Sequence, residues 1–452
     1  MAREKIGFGN APVIVVALAA LTGPGCGRTA LESSARHSSS AGSFTLGPST
    51  TGGAGSAGYG GTAGSTLGPS TTGGAGSAGY GGTAGSTLGP STTGGAGSAG
   101  YRGTAGSTNT GGTSATSGAV AISAGEYHTC AVLSQGLLRC WGWVTGLQCG
   151  DPITSPQPIS GVGEVVAVSA GKAVFSCAVL RDGSVKCLGA DQSTPVAEAG
   201  VGRATSISAG GRHTCVLLND GSAQCWGTNI CGQLGDGTTT DSAAPVTVSG
   251  LSSAVTIAAG GNHTCALLAD GQVRCWGLNA SGELGDSTTT NSPTPVAVSG
   301  LTRAIAIAAG EAHTCAVLDD GEVQCWGYNS TSQLGDGTTT DSPTPVTVLL
   351  SARATGIAAA ERYSCAVDDR GSAWCWGDDD SGLLGDGARG RHRRTPVAVT
   401  GISQAIAVSS SDTHSCVLLG DGSVQCWGNN ECGELGNGTL AGSLLPVQVI
   451  GL

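Results

Sequence analysis

Seven pairs of cysteines, each pair ten residues apart, constrain this chain more tightly than any other feature of its sequence. They are Cys130 and Cys140, Cys177 and Cys187, Cys215 and Cys225, Cys265 and Cys275, Cys315 and Cys325, Cys365 and Cys375, and Cys416 and Cys426. Successive first cysteines lie 47, 38, 50, 50, 50 and 51 residues apart, an average near 48 over residues 118–452. A period of that length belongs to propellers and solenoids, in which each unit buries its faces only against its neighbours.

Each unit reads as short strands parted by turn chemistry. In the fifth, "AIAIAAG" alternates from Ala304, "CAVL" and "EVQCW" flank Asp319-Asp320-Gly321, and "PVTV" follows a Thr/Ser/Asp/Pro loop. Four strands per unit without a helical period predict blades, and seven blades close a ring without long exposed edges. A three-residue loop with glycine in the left-handed position pairs Leu318 with Glu322 and carries the register to Cys315 opposite Cys325. That pair falls on a non-hydrogen-bonded position, where Cα atoms approach to about 4.5 Å and a disulfide can form. Zinc is the rival reading, but zinc sites gather four ligands at close Cys-x-x-Cys spacing, which these units lack. Seven hairpin disulfides would place the domain outside the reducing cytosol.

The segment "AGGNHTCALLADGQVRCWGLNASGELGDSTTTNSPTPVAVSGL", Ala259 to Leu301, carries Gly-x-x-His-Thr, Asp-Gly, Trp-Gly-x-Asn and Gly-x-Leu-Gly signatures. In these it resembles a repeat of the regulator-of-chromosome-condensation (RCC1) family. The set returns in repeats three, four, five and seven, whereas repeat two lacks the Trp and the Gly-x-Leu-Gly loop and repeat six has Tyr363 in place of the histidine. The resemblance covers 118–452 and implies an all-β, seven-bladed β-propeller. It implies no single activity, because family members range from nucleotide exchange on a small GTPase to light sensing and enzyme inhibition.

Two segments of different character precede the repeats. Arg3 and Lys5 lead into "APVIVVALAALTG", too short to cross a bilayer as a permanent helix but suited to an export signal over residues 1–25. "GPGCG" follows and resembles a bacterial lipobox, making Cys26 the expected lipidated residue. Gly23 stands where such sites usually carry Leu, and plain signal-peptidase cleavage or an uncleaved anchor are the alternatives. Residues 26–117 form a Gly/Ser/Thr-rich linker in which a 21-residue unit starting at Leu46 recurs at Leu67 and, slightly altered, at Leu88. With almost no apolar side chains to offset ordering entropy, the linker is expected to be disordered. About 80 residues of such coil span on the order of 50 Å.

Charge bears on partners. The formal net charge is −11, and residues 1–117 hold five basic and two acidic side chains, which leaves 15 basic and 29 acidic for the repeats. A surface that acidic repels phosphate backbones, so no nucleic acid partner is expected. His128, His213, His263, His313 and His414 each sit two residues before a hairpin cysteine and read as a repeated hydrogen-bonding element. Trp141, Trp226, Trp276, Trp326, Trp376 and Trp427 read as blade packing. The loops "GDGTTTDS" and "GDDDSGLLGDG" concentrate oxygen ligands without the spacing of a calcium loop. No nucleophile elbow, phosphate loop or paired-carboxylate motif stands apart from the repeats, so neither enzyme activity nor a cofactor or metal is expected.

These readings converge on an exported, lipid-anchored or secreted monomer of the bacterial cell envelope. Its propeller is expected to bind another protein or a surface polymer; a secreted enzyme inhibitor or a carbohydrate-active enzyme using the funnel are the alternatives. Repeats six, one and two depart most from the common pattern and, with repeat seven, form one arc of a closed ring. There Arg389, Arg391, Arg393 and Arg394 supply a basic spot and Trp143 an exposed aromatic side chain, the candidate binding residues. Two expectations concern closure. Pro446–Leu452 is expected to complete the blade begun by Ala119–Trp141. Of the cysteines left over, Cys149 and Cys432 are expected to staple the ring, with Cys231 free.

Overall fold

The computed structural model of the chain describes residues 118–144, 152–172, 175–189 and 194–452. The export signal, the linker, Cys26 and Cys149 lie outside the described residues. Seven four-stranded antiparallel sheets form, each with its strands in sequence order, and they make a seven-bladed β-propeller. In the first blade the strands are β1 (Ala119–Ala124), β2 (His128–Leu133), β3 (Leu138–Gly142) and β4 (Ile153–Pro158). The innermost strand of each blade is built from Ala, Ser, Thr, Gly, Ile and Val, small enough to pack seven strands round one axis. The outermost strands carry proline, as in Pro156, Pro245, Pro295, Pro345, Pro396 and Pro446, which removes ladder donors and blunts an edge open to solvent.

The hairpin geometry follows the sequence expectation. In the fifth blade Leu318 N–H donates to Glu322 O at 2.8 Å, Gly321 sits at φ +84°, and Cys315 stands opposite Cys325. All seven ten-residue pairs are disulfides with Cα atoms 4.0–4.1 Å apart. Disulfides in this number belong to an oxidising, extracytoplasmic environment. No helix among the described residues is long and apolar enough to cross a membrane.

The hydrophobic core lies between blades rather than within them. A cluster of Leu267, Val273 and Leu284 from the fourth blade packs against Ile307 and Trp326 of the fifth. The Gly-x-Leu-Gly loop supplies Leu284 to this interface, and its last glycine, Gly285, lies under the incoming indole. A Cβ there would sit 2.8 Å from Trp326 Nε1, and φ is +67°. Only glycine satisfies both demands.

Ring closure differs from the sequence expectation. The last strand, Ser443–Gln448, pairs with Val424–Gly428 of its own blade and not with the first. The first blade has no vacancy, because Ile153–Pro158 already completes it. That strand, "ITSPQP", carries two prolines and little alternation, so its sequence disguises it. The seventh and first blades therefore meet as any other two do. Ala119 N–H donates to Gly422 O at 2.9 Å, as Ala254 N–H does to Gly221 O at 3.0 Å. Leu418, Val424 and Leu435 pack on Ile122, Leu133 and Trp141, with Leu452 against the same cluster.

Cys231 also departs from expectation. It is disulfide-bonded and buried rather than free, and Cys432 is disulfide-bonded too.

Candidate functional site at the channel mouth

The repeated histidines and tryptophans are engaged between blades. His213 Nε2 lies 2.7 Å from Thr264 Oγ1 of the next blade, His263 Nε2 2.9 Å from Thr314 Oγ1, His313 Nε2 2.8 Å from Ser364 Oγ, and His414 Nε2 2.6 Å from Thr129 Oγ1 across the closure. Each of those hydroxyls donates to a loop carbonyl, those of Gln233, Glu283, Gln333 and Glu434. The hydroxyl is left to accept, so the imidazole Nε2 carries the proton and donates. Trp276, Trp326, Trp376 and Trp141 donate their indole N–H to the same four carbonyls at 2.7–2.9 Å. Burial lowers His213 to about 4 and His263, His313 and His414 to about 3. These rings stay neutral at physiological pH and hold blades together, in accord with a hydrogen-bonding role. In the sixth blade Tyr363 takes the place of His, its hydroxyl reaching Ser415 at 2.9 Å.

Glu434, in the seventh blade's Gly-x-Leu-Gly loop, gives a pH test. Its Oε2 accepts Cys432 N–H at 3.0 Å, and burial raises its carboxyl to about 7, helped by the charge of Glu431 against opposing backbone hydrogen bonds. Between the ordinary glutamate range and pH 7 the folded chain holds a proton that the unfolded chain releases, so this group costs stability as pH rises through that window. Gln233, at the same place in the third blade, makes the same bond to Cys231 N–H at 2.9 Å. Glu434→Gln should therefore raise the urea midpoint at pH 8 and leave it unchanged at pH 4. A midpoint that falls at pH 8 contradicts the assignment.

At one end of the ring the first strands run into short turns whose small residues line an open pocket shared by all seven blades. The residue after the small pair varies from blade to blade: Glu126, Lys172, Gly211, Gly261, Glu311, Glu361 and Asp412. Four carboxylates and one lysine thus share the mouth. Lys172 Nζ lies 2.8 Å from Glu311 Oε2 and 2.8 Å from Asp412 Oδ2, which ties the second blade to the fifth and seventh across the axis. Burial opposes the Lys172 charge, but Asp412 and Glu311 outweigh it and raise the ammonium above the ordinary lysine value. Burial and the Asp412 charge raise Glu361, against Lys172 and Arg362. Gly261 makes the inward turn of Glu311 possible, since a Cβ there would lie 2.5 Å from the Glu311 carboxyl carbon.

The third strand of a blade runs parallel to the first, so the long loops after Cys-Trp-Gly lie at the same end as this mouth. On that face the first blade presents Tyr127 and Trp143 with ring centroids 5.6 Å apart. Trp143 is half-buried there, a correction to its expected exposure: Trp143 N–H donates to Tyr127 O at 2.8 Å, folding the residue back onto the turn. Of the arginines, Arg389, Arg391 and Arg394 are exposed. Arg393 is part-buried and pairs with Asp386 Oδ2 at 2.7 Å, so it adds little free positive charge. The sequence reading missed Lys172, Glu311, Glu361, Asp412 and Glu126. The signal that could have found them is the one position that changes charge from blade to blade while its neighbours repeat.

Comparison with known proteins agrees with this architecture. A model of the RCC1-like domain matches residues 191–451, and one of the regulator of chromosome condensation (RCC1) repeat matches 119–143. A structure of yeast RCC1 (Prp20) bound to Kap60 is similar with a TM-score of 0.62 at 21% identity, covering 70% of this chain and 84% of that one. A structure of Prp20p from Saccharomyces cerevisiae, described with its binding properties to Gsp1p and histones, has a TM-score of 0.61 at 20% identity, covering 70% and 87%. Human WBSCR16 has a TM-score of 0.58 at 20% identity, covering 66% and 85%.

Proposed function

We propose a binding function for this chain, which belongs to the RCC1-like domain family: it is an exported, lipid-anchored scaffold whose propeller recognises another protein at the face around the channel mouth. The observation that carries the reading is the mouth itself, a cavity with charged side chains drawn from separate blades onto a rigid frame. The repeated histidines and the hydroxyls they meet are engaged in holding blades together, which also favours a binder over an enzyme: the histidines are neutral and donate to neighbouring hydroxyls. Yeast RCC1, a propeller of this fold, is described in complex with Kap60 and with binding properties to Gsp1p and histones, and protein binding by a distant relative supports the same mode here. The face is acidic at its centre and carries the exposed Arg389 and Arg391 on the sixth blade's loop, so it suits a protein partner with both signs of charge. The disulfides support a partner outside the cytoplasm, and the lipobox-like Cys26 supports one on the bacterial envelope.

The test uses the full chain, oxidised, as bait for envelope proteins. The expected result is a protein that binds saturably and competes with soluble chain. Retention of only a polysaccharide, or of nothing saturable, contradicts the proposal.

A further inference from the structure

We infer that the channel mouth is a subsite for a single lysine side chain of the partner, and that Lys172 is its resident competitor. The inference rests on the binding function proposed above and adds the chemistry of the group recognised. Three observations converge. First, the site is an open pocket lined by every blade and walled by Ala, Gly and Ser beside the polar groups. Second, Glu311 and Asp412 each hold a primary ammonium at 2.8 Å, so their spacing matches one lysine head group approached from within. The mouth carries more acid than this ammonium neutralises. Glu361 shares the rim, with Arg362 beside it at 3.3 Å, and its carboxyl is raised by burial and by the Asp412 charge. Third, Tyr127 follows Glu126 in the chain and its ring lies 5.6 Å from that of Trp143 on the same face, and aromatic faces next to carboxylates favour a cationic guest.

Lys172 differs from the other rim residues in kind. It is the one cation at the variable position, it comes from the blade that departs most from the repeat, and about a third of its side chain is exposed. An incoming ammonium therefore exchanges with one already present. The carboxylates are never left unpaired during exchange, and the displaced Lys172 turns to water. A guest of lower charge density, or an acetylated one, gains nothing from the exchange.

The experiment titrates the full chain with a fluorescein-labelled peptide of Gly and Ser carrying one central lysine, and with the same peptide bearing Nε-acetyl-lysine, by anisotropy at low salt. The wild type should bind the lysine peptide and not the acetylated one. Lys172→Ala should bind it at least tenfold more tightly, and Lys172→Gln, which preserves the side chain's bulk, should show the same direction. Adding Glu311→Gln and Asp412→Asn to either variant should abolish the gain. Equal binding of both peptides by the wild type overturns the inference whatever the variants do, as does unchanged affinity in a folded Lys172→Gln chain. A captured partner whose affinity ignores all these substitutions removes the lysine subsite and leaves the binding function standing. Failure to capture any partner removes the function, while the peptide titration is decided separately.

Discussion

Trp326→Ala should lower the unfolding free energy by about 3–5 kcal/mol, the range for deleting a large buried aromatic side chain. Trp326 is fully buried and packs across the interface on Leu284 of the preceding blade, so the cavity opens between two blades rather than inside one. Its indole N–H donates to Glu283 O at 2.9 Å, and that carbonyl keeps a second donor in Thr314 Oγ1 at 3.0 Å. The lost hydrogen bond is thus the smaller part of the cost, and the lost packing the larger. Trp326→Phe restores part of the volume without the donor and should fall between wild type and alanine. Urea unfolding followed by circular dichroism measures both. A Trp326→Ala midpoint equal to that of the wild type would mean that the blades do not depend on these side chains for adhesion.

Replacing one hairpin disulfide should cost somewhat less. Closing a loop of ten residues restricts the unfolded chain by roughly 2.5–3 kcal/mol at 25 °C, and Cys315→Ala with Cys325→Ala removes that restriction in the fifth blade. The folded blade keeps its register, since Leu318 N–H to Glu322 O and the ladder on both sides do not pass through sulfur. The effect therefore belongs to the unfolded state. A double variant with unchanged stability contradicts this, and one that fails to fold shows that the disulfide defines the hairpin rather than reinforcing it.

The parts of the molecule that the sequence reveals are those set by local geometry. Ten-residue cysteine spacing, Asp-Asp-Gly turns and a period near 50 each describe contacts within a hairpin or between neighbouring units, and the observed register agrees down to Leu318 and Glu322. The closure expectation fails for a local reason as well: the strand that completes the first blade, "ITSPQP", carries two prolines and little alternation, which an outer strand tolerates because it pairs on one side only. The site is illegible for the opposite reason. Lys172, Glu311 and Asp412 are separated by more than a hundred residues along the chain in each case and meet only because the ring closes. Arg393 and Trp143 stood out in sequence because they broke a pattern, but the loop turns Arg393 onto Asp386 and the backbone turns Trp143 onto Tyr127.

The claim that the face around the channel mouth is the binding surface is tested most directly by altering the two ends of the ring separately. One variant carries Glu126→Gln, Glu361→Gln and Arg391→Ala at the mouth face. The other carries Asp220→Asn, Asp270→Asn and Asp421→Asn on the exposed hairpins of the opposite face, where each aspartate accepts a backbone N–H two residues on that asparagine can also accept. Affinity for the captured protein, measured by calorimetry with both variants shown to be folded, should fall at least tenfold for the first, a loss of about 1.4 kcal/mol or more, and stay within twofold for the second. Equal affinity in both variants, or a loss confined to the hairpin face, would contradict the account.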